Sequence, residues 1–299
     1  MTGKRNEAAP LAYGLRVQHI GLHVTDMEKT MEWYTRLFGF RLLYHAPGLD
    51  GLFPKMCMFA LADFCIELYE VKNPLPFSLL AYEHNIGVKH LGLAVQDFDG
   101  WLAYARSQPD AAIILEMDTP ERRAVMLLDN SGIPVEVLQD PLAGEASLSR
   151  EGKYGIRAQH AAIGVRDLEE TSRWYHDMFG FSELPAERSV ASAAGMLPGM
   201  RQLSLNGFVL ELYELLNPQP FSLLDFEYSV GYKHLNIDMD DRLGWTEYVE
   251  SLHAPVQVVV YCDHRNDPEL PIMPHYIWDN SGMLIEMSDE HLVKQRRRI

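Results

Sequence analysis

Cysteine is scarce, with only Cys57, Cys65 and Cys262 in 299 residues. So few, so scattered, supply neither a disulfide framework nor a thiolate zinc site. They fit a reducing compartment, and a cytoplasmic location is expected. Basic residues are also short, 26 Lys and Arg against 42 Asp and Glu, for a net charge of −16. That balance argues against nucleic acid or anionic membrane as a partner. The one basic cluster, Lys294, Arg296, Arg297 and Arg298, lies in the tail 291–299 and reads as a solvated terminus. No apolar run reaches the roughly 18 residues of a membrane span. The opening MTGKRNEAAPLAYG lacks the apolar core of a signal peptide, so none is expected. There is no Gly-rich phosphate loop, no low-complexity segment and no Ser-His-Asp arrangement that spacing supports. The remaining composition, 47% hydrophobic and 23% charged, is that of a soluble globular protein.

What the chain does contain is an internal repeat. ELYEVKNPLPFSLL (67–80) returns as ELYELLNPQPFSLL (211–224), DNSGIPVEV (129–137) as DNSGMLIEM (279–287), and WYTRLFGF (33–40) as WYHDMFGF (174–181). A finer repeat lies within each half. A histidine-bearing strand occurs four times, as VQHIGLHV, VKHLGLAV, AQHAAIGV and YKHLNIDM. Each is followed 46 to 52 residues later by a strand carrying a glutamate. The odd copies begin Gln-His and the even ones Lys-His, so a two-module unit existed first and was then doubled.

Within a module the reading is strand, helix, then three strands. Ile20, Leu22 and Val24 alternate with His19, Gly21 and His23. Thr25 or Asp26 can cap a helix carrying Met27, Met31, Tyr34 and Phe38, which Gly39 closes. Asp167, Leu168, Trp174, Tyr175, Met178 and Gly180 repeat the pattern. Ala62-Asp63 and Asn206-Gly207 read as hairpin turns. This predicts an α+β fold of four βαβββ modules with mixed sheets. The expected organisation is an extension 1–15, a first domain 16–142 (modules 16–72 and 88–140), a linker 143–156, a second domain 157–290 (modules 157–215 and 232–288) and the tail 291–299.

The histidine face of each strand is small or polar, and the opposite face is aliphatic. A glutamate inside an apolar strand is costly to bury ionised unless it is paired or bound to a cation. Here the arrangement occurs four times. His19, Glu67, His90, Glu136, His160, Glu211, His234 and Glu286 are therefore the candidate metal ligands. Imidazole with carboxylate suits Fe, Mn, Co, Ni or Zn, one or two per chain. Candidate pocket residues are His23, Tyr69, Tyr213, His264 and Trp278. His275 and Tyr276 lie near the last strand. Met56, Met58, Met196 and Met200 suit an adaptable apolar pocket. The NPxPFSLL loops (73–80 and 217–224) are candidate lids. Arg123, Lys89 and Lys233 are candidates to meet a substrate carboxylate.

The run HIGLHVTDMEKTMEWYTRLFGFRLL and the later DNSGIPVEV closely resemble the vicinal oxygen chelate superfamily. Its members include glyoxalases, extradiol ring-cleaving dioxygenases, methylmalonyl-CoA epimerase and fosfomycin and bleomycin resistance proteins. The resemblance covers residues 16–288 and implies two glyoxalase-like domains with curved sheets. It also implies metal ligands from the first and fourth strands of paired modules. Two groupings remain open. Pairing within each half gives His19/Glu67/His90/Glu136 and His160/Glu211/His234/Glu286. Pairing across halves joins His19 and Glu67 to His234 and Glu286.

Three activities are compatible with the resemblance. A lyase or isomerase would act through a metal-chelated enediolate, with Glu136 and Glu286 as bases, and the full His₂Glu₂ sets favour it. A ring-cleaving dioxygenase would use an Fe(II) triad of His160, His234 and Glu286, with Tyr276 ten residues before the carboxylate. Against that, Asn280 stands where that signature has proline, and 177–233 contains no histidine. A drug-binding member would have no catalysis and typically lacks the ligands. The implied partner is a small molecule with vicinal oxygens, and the protein is expected as a monomer or homodimer.

Overall fold

The computed structural model describes residues 10–49, 53–75, 84–120, 122–142, 144–145, 148–184, 199–219, 227–252, 257–260 and 275–289. Each module is strand, helix, three strands. Module one is β1 (Arg16–Val24), α1 (Met27–Phe38), β2 (Arg41–Leu49), β3 (Phe53–Leu61) and β4 (Phe64–Glu70). Module two is β5 (Gly87–Val95), α2 (Phe98–Arg106), β6 (Ala112–Asp118), β7 (Arg123–Leu128) and β8 (Pro134–Gln139). Module three is β9 (Ile156–Val165), α3 (Leu168–Phe179), β10 (Ser182–Glu183), β11 (Met200–Leu205) and β12 (Phe208–Glu214). Module four is β13 (Gly231–Met239), α4 (Arg242–Ser251), β14 (Gln257–Val260), β15 (His275–Trp278) and β16 (Leu284–Asp289).

Local signals act where the sequence places them. Asp26 caps α1 by accepting from the Lys29 amide, and Gly39 ends it at φ +83°. Asp167 and Gly180 do the same for α3. The Asn206-Gly207 turn has φ of +51° and +85°, the left-handed pair that a tight hairpin requires.

The strands do not stay within their own half of the chain. One eight-stranded sheet runs β14-β15-β16-β13-β1-β4-β3-β2, and the other runs β10-β11-β12-β9-β5-β8-β7-β6. Module one therefore shares a sheet with module four, and module two with module three. The seams are antiparallel, β1 on β13 and β5 on β9, while each first strand runs parallel to its own module's last. The contiguous stretches 16–142 and 157–290 are thus not the units that share a sheet.

The helices make the other connection. Trp101 on α2 stacks on Phe38 of α1 at 5.8 Å and donates its indole N–H to the Leu37 carbonyl at 3.0 Å. Trp245 on α4 stacks on Phe179 of α3 at 5.6 Å and donates to the Met178 carbonyl at 2.9 Å. Each buried ring contributes about 1.5–3 kcal/mol by leaving water. The repeated DNSG turn completes the contact. Asn130 accepts from the Thr30 hydroxyl, and Ser131 Oγ accepts from the Thr25 amide at the start of α1. At the start of α3, Ser281 Oγ likewise accepts from the Arg166 amide, while Asn280 donates its side-chain amide to the Thr171 hydroxyl. Sheets join modules one with four and two with three; helices and turns join one with two and three with four.

Candidate metal centre

The antiparallel seams bring the candidate ligands together in two clusters. Cluster A is His19, Glu67, His234 and Glu286; cluster B is His90, Glu136, His160 and Glu211. In each, one ligand atom per residue lies within 4.8 Å of all the others, so both groups have the donor types and spacing of a metal site. The structure therefore selects pairing across halves. It excludes the grouping within halves and also the triad of His160, His234 and Glu286. The reason is the seam: β1 pairs with β13 and β5 with β9, so His160 lies in the other sheet from His234.

One register recurs in all four modules. The residue two beyond each histidine is the parallel partner of that module's glutamate: Gly21 of Glu67, Gly92 of Glu136, Ala162 of Glu211 and Asn236 of Glu286. The same small residue makes room across the seam. A Cβ on Gly21 would lie 2.2 Å from His234 Cε1, and one on Gly92 would lie 1.9 Å from His160 Cε1. The ladder is also interrupted at the residue before each histidine, at Gln18, Lys89, Gln159 and Lys233. Such a bulge breaks the alternation and brings two consecutive side chains together. Gln18 Oε1 thus takes the Nδ1–H of His19 at 2.6 Å, and Gln159 Oε1 takes that of His160. Fixing the proton on Nδ1 leaves Nε2 facing the cluster.

In cluster A this creates a demand for positive charge. His19 Nε2 lies 3.2 Å from Glu286 Oε2, 3.5 Å from Glu67 Oε2 and 3.4 Å from His234 Nε2. Lone pairs face lone pairs unless a proton or a metal stands between them. Glu67 Oε2 is buried and accepts no hydrogen bond among the described residues. Burial disfavours a charged His19, but Glu286 and Glu67 outweigh it and raise the imidazole to about 9. Burial likewise opposes ionised Glu286, yet His19 and its neighbours lower it to about 2. Two buried carboxylates, two aligned imidazoles and an orphaned oxygen fit a divalent transition ion.

Cluster B has the same donors but a further member, Arg122, which sequence reasoning missed in favour of its neighbour Arg123. Arg122 is buried, and its Nη2 donates to both oxygens of Glu136 at 2.6 Å. Its Nε adds a 3.1 Å bond to the first of these, and its Nη1 reaches Glu211 Oε1 at 3.4 Å. Gln202, the antiparallel partner of Glu211, donates to it at 2.7 Å, and Tyr213 donates its hydroxyl at 2.8 Å. Burial, opposed by Glu211 and Glu136, leaves the Arg122 pKa above its usual value. The strand phase did hold a signal, because Arg122 shares parity with Met126, the antiparallel partner of Glu136.

The other candidates divide between the clusters. Tyr276 is the antiparallel partner of Glu286, and its hydroxyl donates to Glu286 Oε2 at 3.3 Å. Trp278, half-buried, lies two residues along the same strand, on the same face. Tyr69 packs on His23 at 5.4 Å beside Glu67. Burial, with Lys233 and His234 nearby, holds His23 well below its usual pKa, so it is neutral. Tyr213 belongs to cluster B. Met58 is the antiparallel partner of Glu67, and Met56 that of Tyr69. Lys89 and Lys233 are buried and bonded to Asn85 O and Ser229 Oγ, and Arg123 pairs with Asp99 and Asp118. The NPxPFSLL loops begin with cross-module bonds, Leu75 to the Tyr228 carbonyl and Gln219 to the His84 carbonyl. His264, Met196, Cys262, the rest of those loops and the basic tail lie outside the described residues, as does the side chain of His275. Among the described residues no helix is long and apolar enough to cross a membrane.

Residues 16–137 and 157–286 match the family model described as the Glyoxalase/Bleomycin resistance protein/Dioxygenase superfamily. Among solved structures, glyoxalase I from Zea mays aligns at a TM-score of 0.70 and 16% identity, covering 97% of this chain and 98% of that one. A "putative dioxygenase" from Bacillus subtilis subsp. subtilis str. 168 aligns at 0.65 and 14% identity, covering 92% and 84%. At these identities the likeness shows the fold alone. The curated proteins searched gave no match.

Proposed function

The chain belongs to the Glyoxalase/Bleomycin resistance protein/Dioxygenase superfamily, and on that premise we propose that it is a metal-dependent lyase or isomerase whose catalytic centre is cluster A. The observation that carries this is the buried His₂Glu₂ set with its orphaned Glu67 Oε2 and two Nδ1-protonated or carboxylate-facing imidazoles turned inward. His19, Glu67, His234 and Glu286 would hold the ion, which would supply Lewis acidity toward two neighbouring oxygens of a small substrate.

The chain's own groups then act on the proton of the adjacent carbon. Glu286 is the general base. It is ionised well below neutral pH, and the Tyr276 hydroxyl steadies the same oxygen that would receive the proton. Tyr69, kept as a phenol by burial and by Glu67, is a further neutral donor beside the centre. Gln18 keeps His19 in one tautomer through Nδ1 and so leaves the pocket side of the ring free of its proton. A full set of two histidines and two carboxylates suits proton transfer at a chelated carbonyl better than oxygen activation, which uses two histidines and one carboxylate.

The test is proton exchange in D₂O. α-Hydroxycarbonyl and α-ketoaldehyde adducts are followed by ¹H NMR with metal-loaded and EDTA-treated protein. Loss of the α-proton signal only with metal, abolished by Glu286→Gln, is the expected result. Oxygen uptake on catechols without α-proton exchange would overturn it in favour of a dioxygenase.

A further inference from the structure

The two clusters share a donor set, but only one of them already holds a cation. With the imidazoles neutral, as metal ligands must be, the two carboxylates of cluster B face a fixed guanidinium and the net charge before any ion is minus one; in cluster A it is minus two. A divalent ion brings cluster A to neutrality and drives cluster B to plus one among buried side chains. The oxygen atoms tell the same story. Glu136 Oε2 lies 3.2 Å from both His90 Nε2 and His160 Nε2, which are themselves 3.2 Å apart, and it already accepts from Arg122 at 2.6 Å. Glu211 Oε1 accepts from Gln202 and Arg122, and its Oε2 accepts from Tyr213. No carboxylate oxygen of cluster B is orphaned, whereas Glu67 Oε2 of cluster A is.

We infer that cluster B is not a metal centre: Arg122 is its resident cation, so the chain carries one metal site and uses the duplicate as a metal-free clamp. The guanidinium ties Glu136 of module two to Glu211 of module three. It joins these modules as an ion would, but it offers no exchangeable position to a substrate. Its rigid fork matches Glu136 bidentately and keeps its charge at any ordinary pH. The donor set of cluster B therefore does not fit a metal as the protein stands. This conclusion rests on the reading of cluster A as the metal centre.

Metal content separates the two ideas. Protein loaded with Mn(II), Co(II) or Zn(II) and desalted should hold one equivalent per chain by elemental analysis. His234→Gln should lower this to none, and His160→Gln should leave it at one. Arg122→Ala, if folded by circular dichroism, should rise to two. Two equivalents in the parent protein, or one that is lost with His160→Gln and kept with His234→Gln, overturns the inference. If the parent takes up none, the reading of cluster A fails instead. In that case a folded Arg122→Ala protein that gains one equivalent still supports Arg122 as the block, and one that gains none overturns it. Should Arg122→Ala not fold, the His160→Gln and His234→Gln pair decides alone.

Discussion

Clusters A and B descend from one pattern and occupy equivalent seams, β1 on β13 and β5 on β9, yet they differ in how their negative charge is met. In A the compensation has to come from outside the chain or from protons on His19 and His234. In B it comes from Arg122, Gln202 and Tyr213. The lesson is that identical ligand residues do not make identical sites. A buried carboxylate is unstable without a partner, and either a metal or a guanidinium can meet that need. Only a metal also leaves a position for substrate.

The comparison can be broken most sharply at the glutamates. Glu286→Gln should lower α-proton exchange about 10²- to 10⁴-fold with the fold intact, because it removes a base. Glu136→Gln should leave exchange nearly unchanged but destabilise the protein by about 3–5 kcal/mol, because it leaves Arg122 buried beside a neutral amide. Activity assays and urea melts read the two effects separately. Equal loss of activity in both would mean that B is catalytic.

The glycines come next. Gly21→Ala and Gly92→Ala should each cost about 1–3 kcal/mol by pushing a histidine ring aside. Only Gly21→Ala should also weaken metal binding, since the ring it displaces is His234. Gln18→Ala should reduce metal affinity about 10- to 100-fold by releasing His19 Nδ1, whereas Gln159→Ala should leave metal content unchanged.

pH sharpens the contrast further. In metal-free protein the His19 pKa is raised from 6.5 to about 9. A raised pKa contributes stability that is complete below about 6.5 and is lost as pH rises through about 9. Arg122 keeps its charge throughout this range. The gap in Tm between metal-loaded and EDTA-treated protein should therefore widen from pH 6.5 to 9. A constant gap would show that His19 is not the proton reservoir. The smallest effect is at Tyr276: removing its hydroxyl with Phe should cost about 0.5–1.5 kcal/mol of transition-state stabilisation.

Much of this was legible in the chain. The alternation around His19 and the caps Asp26 and Gly39 are local signals: Ile20, Leu22 and Val24 join the apolar core, and the two caps bound α1. The eight ligand positions stood out because duplication displays them four times. Gln18 and Gln159 were visible as Gln-His pairs, but their role was not. Strict alternation puts neighbouring side chains on opposite faces, and only the bulge brings Gln18 round to His19. Arg122 was harder to see: its strand phase sets it apart from the half-buried Arg123 beside it, but only the pairing of Met126 with Glu136 gives that phase a meaning.

The sequence by itself determined the four-module α+β plan, the histidine and glutamate positions and the resemblance to the superfamily, because periodicity, caps and repeats act over a few residues. Tertiary structure alone decided which modules share a sheet, and hence that His19 meets Glu286 rather than Glu136. It also decided that one duplicate cluster contains an arginine. Those are facts of register between strands more than 200 residues apart and of a side chain reaching across a seam. No local pattern encodes such distances, since they follow from how four half-buried sheet edges satisfy one another at once.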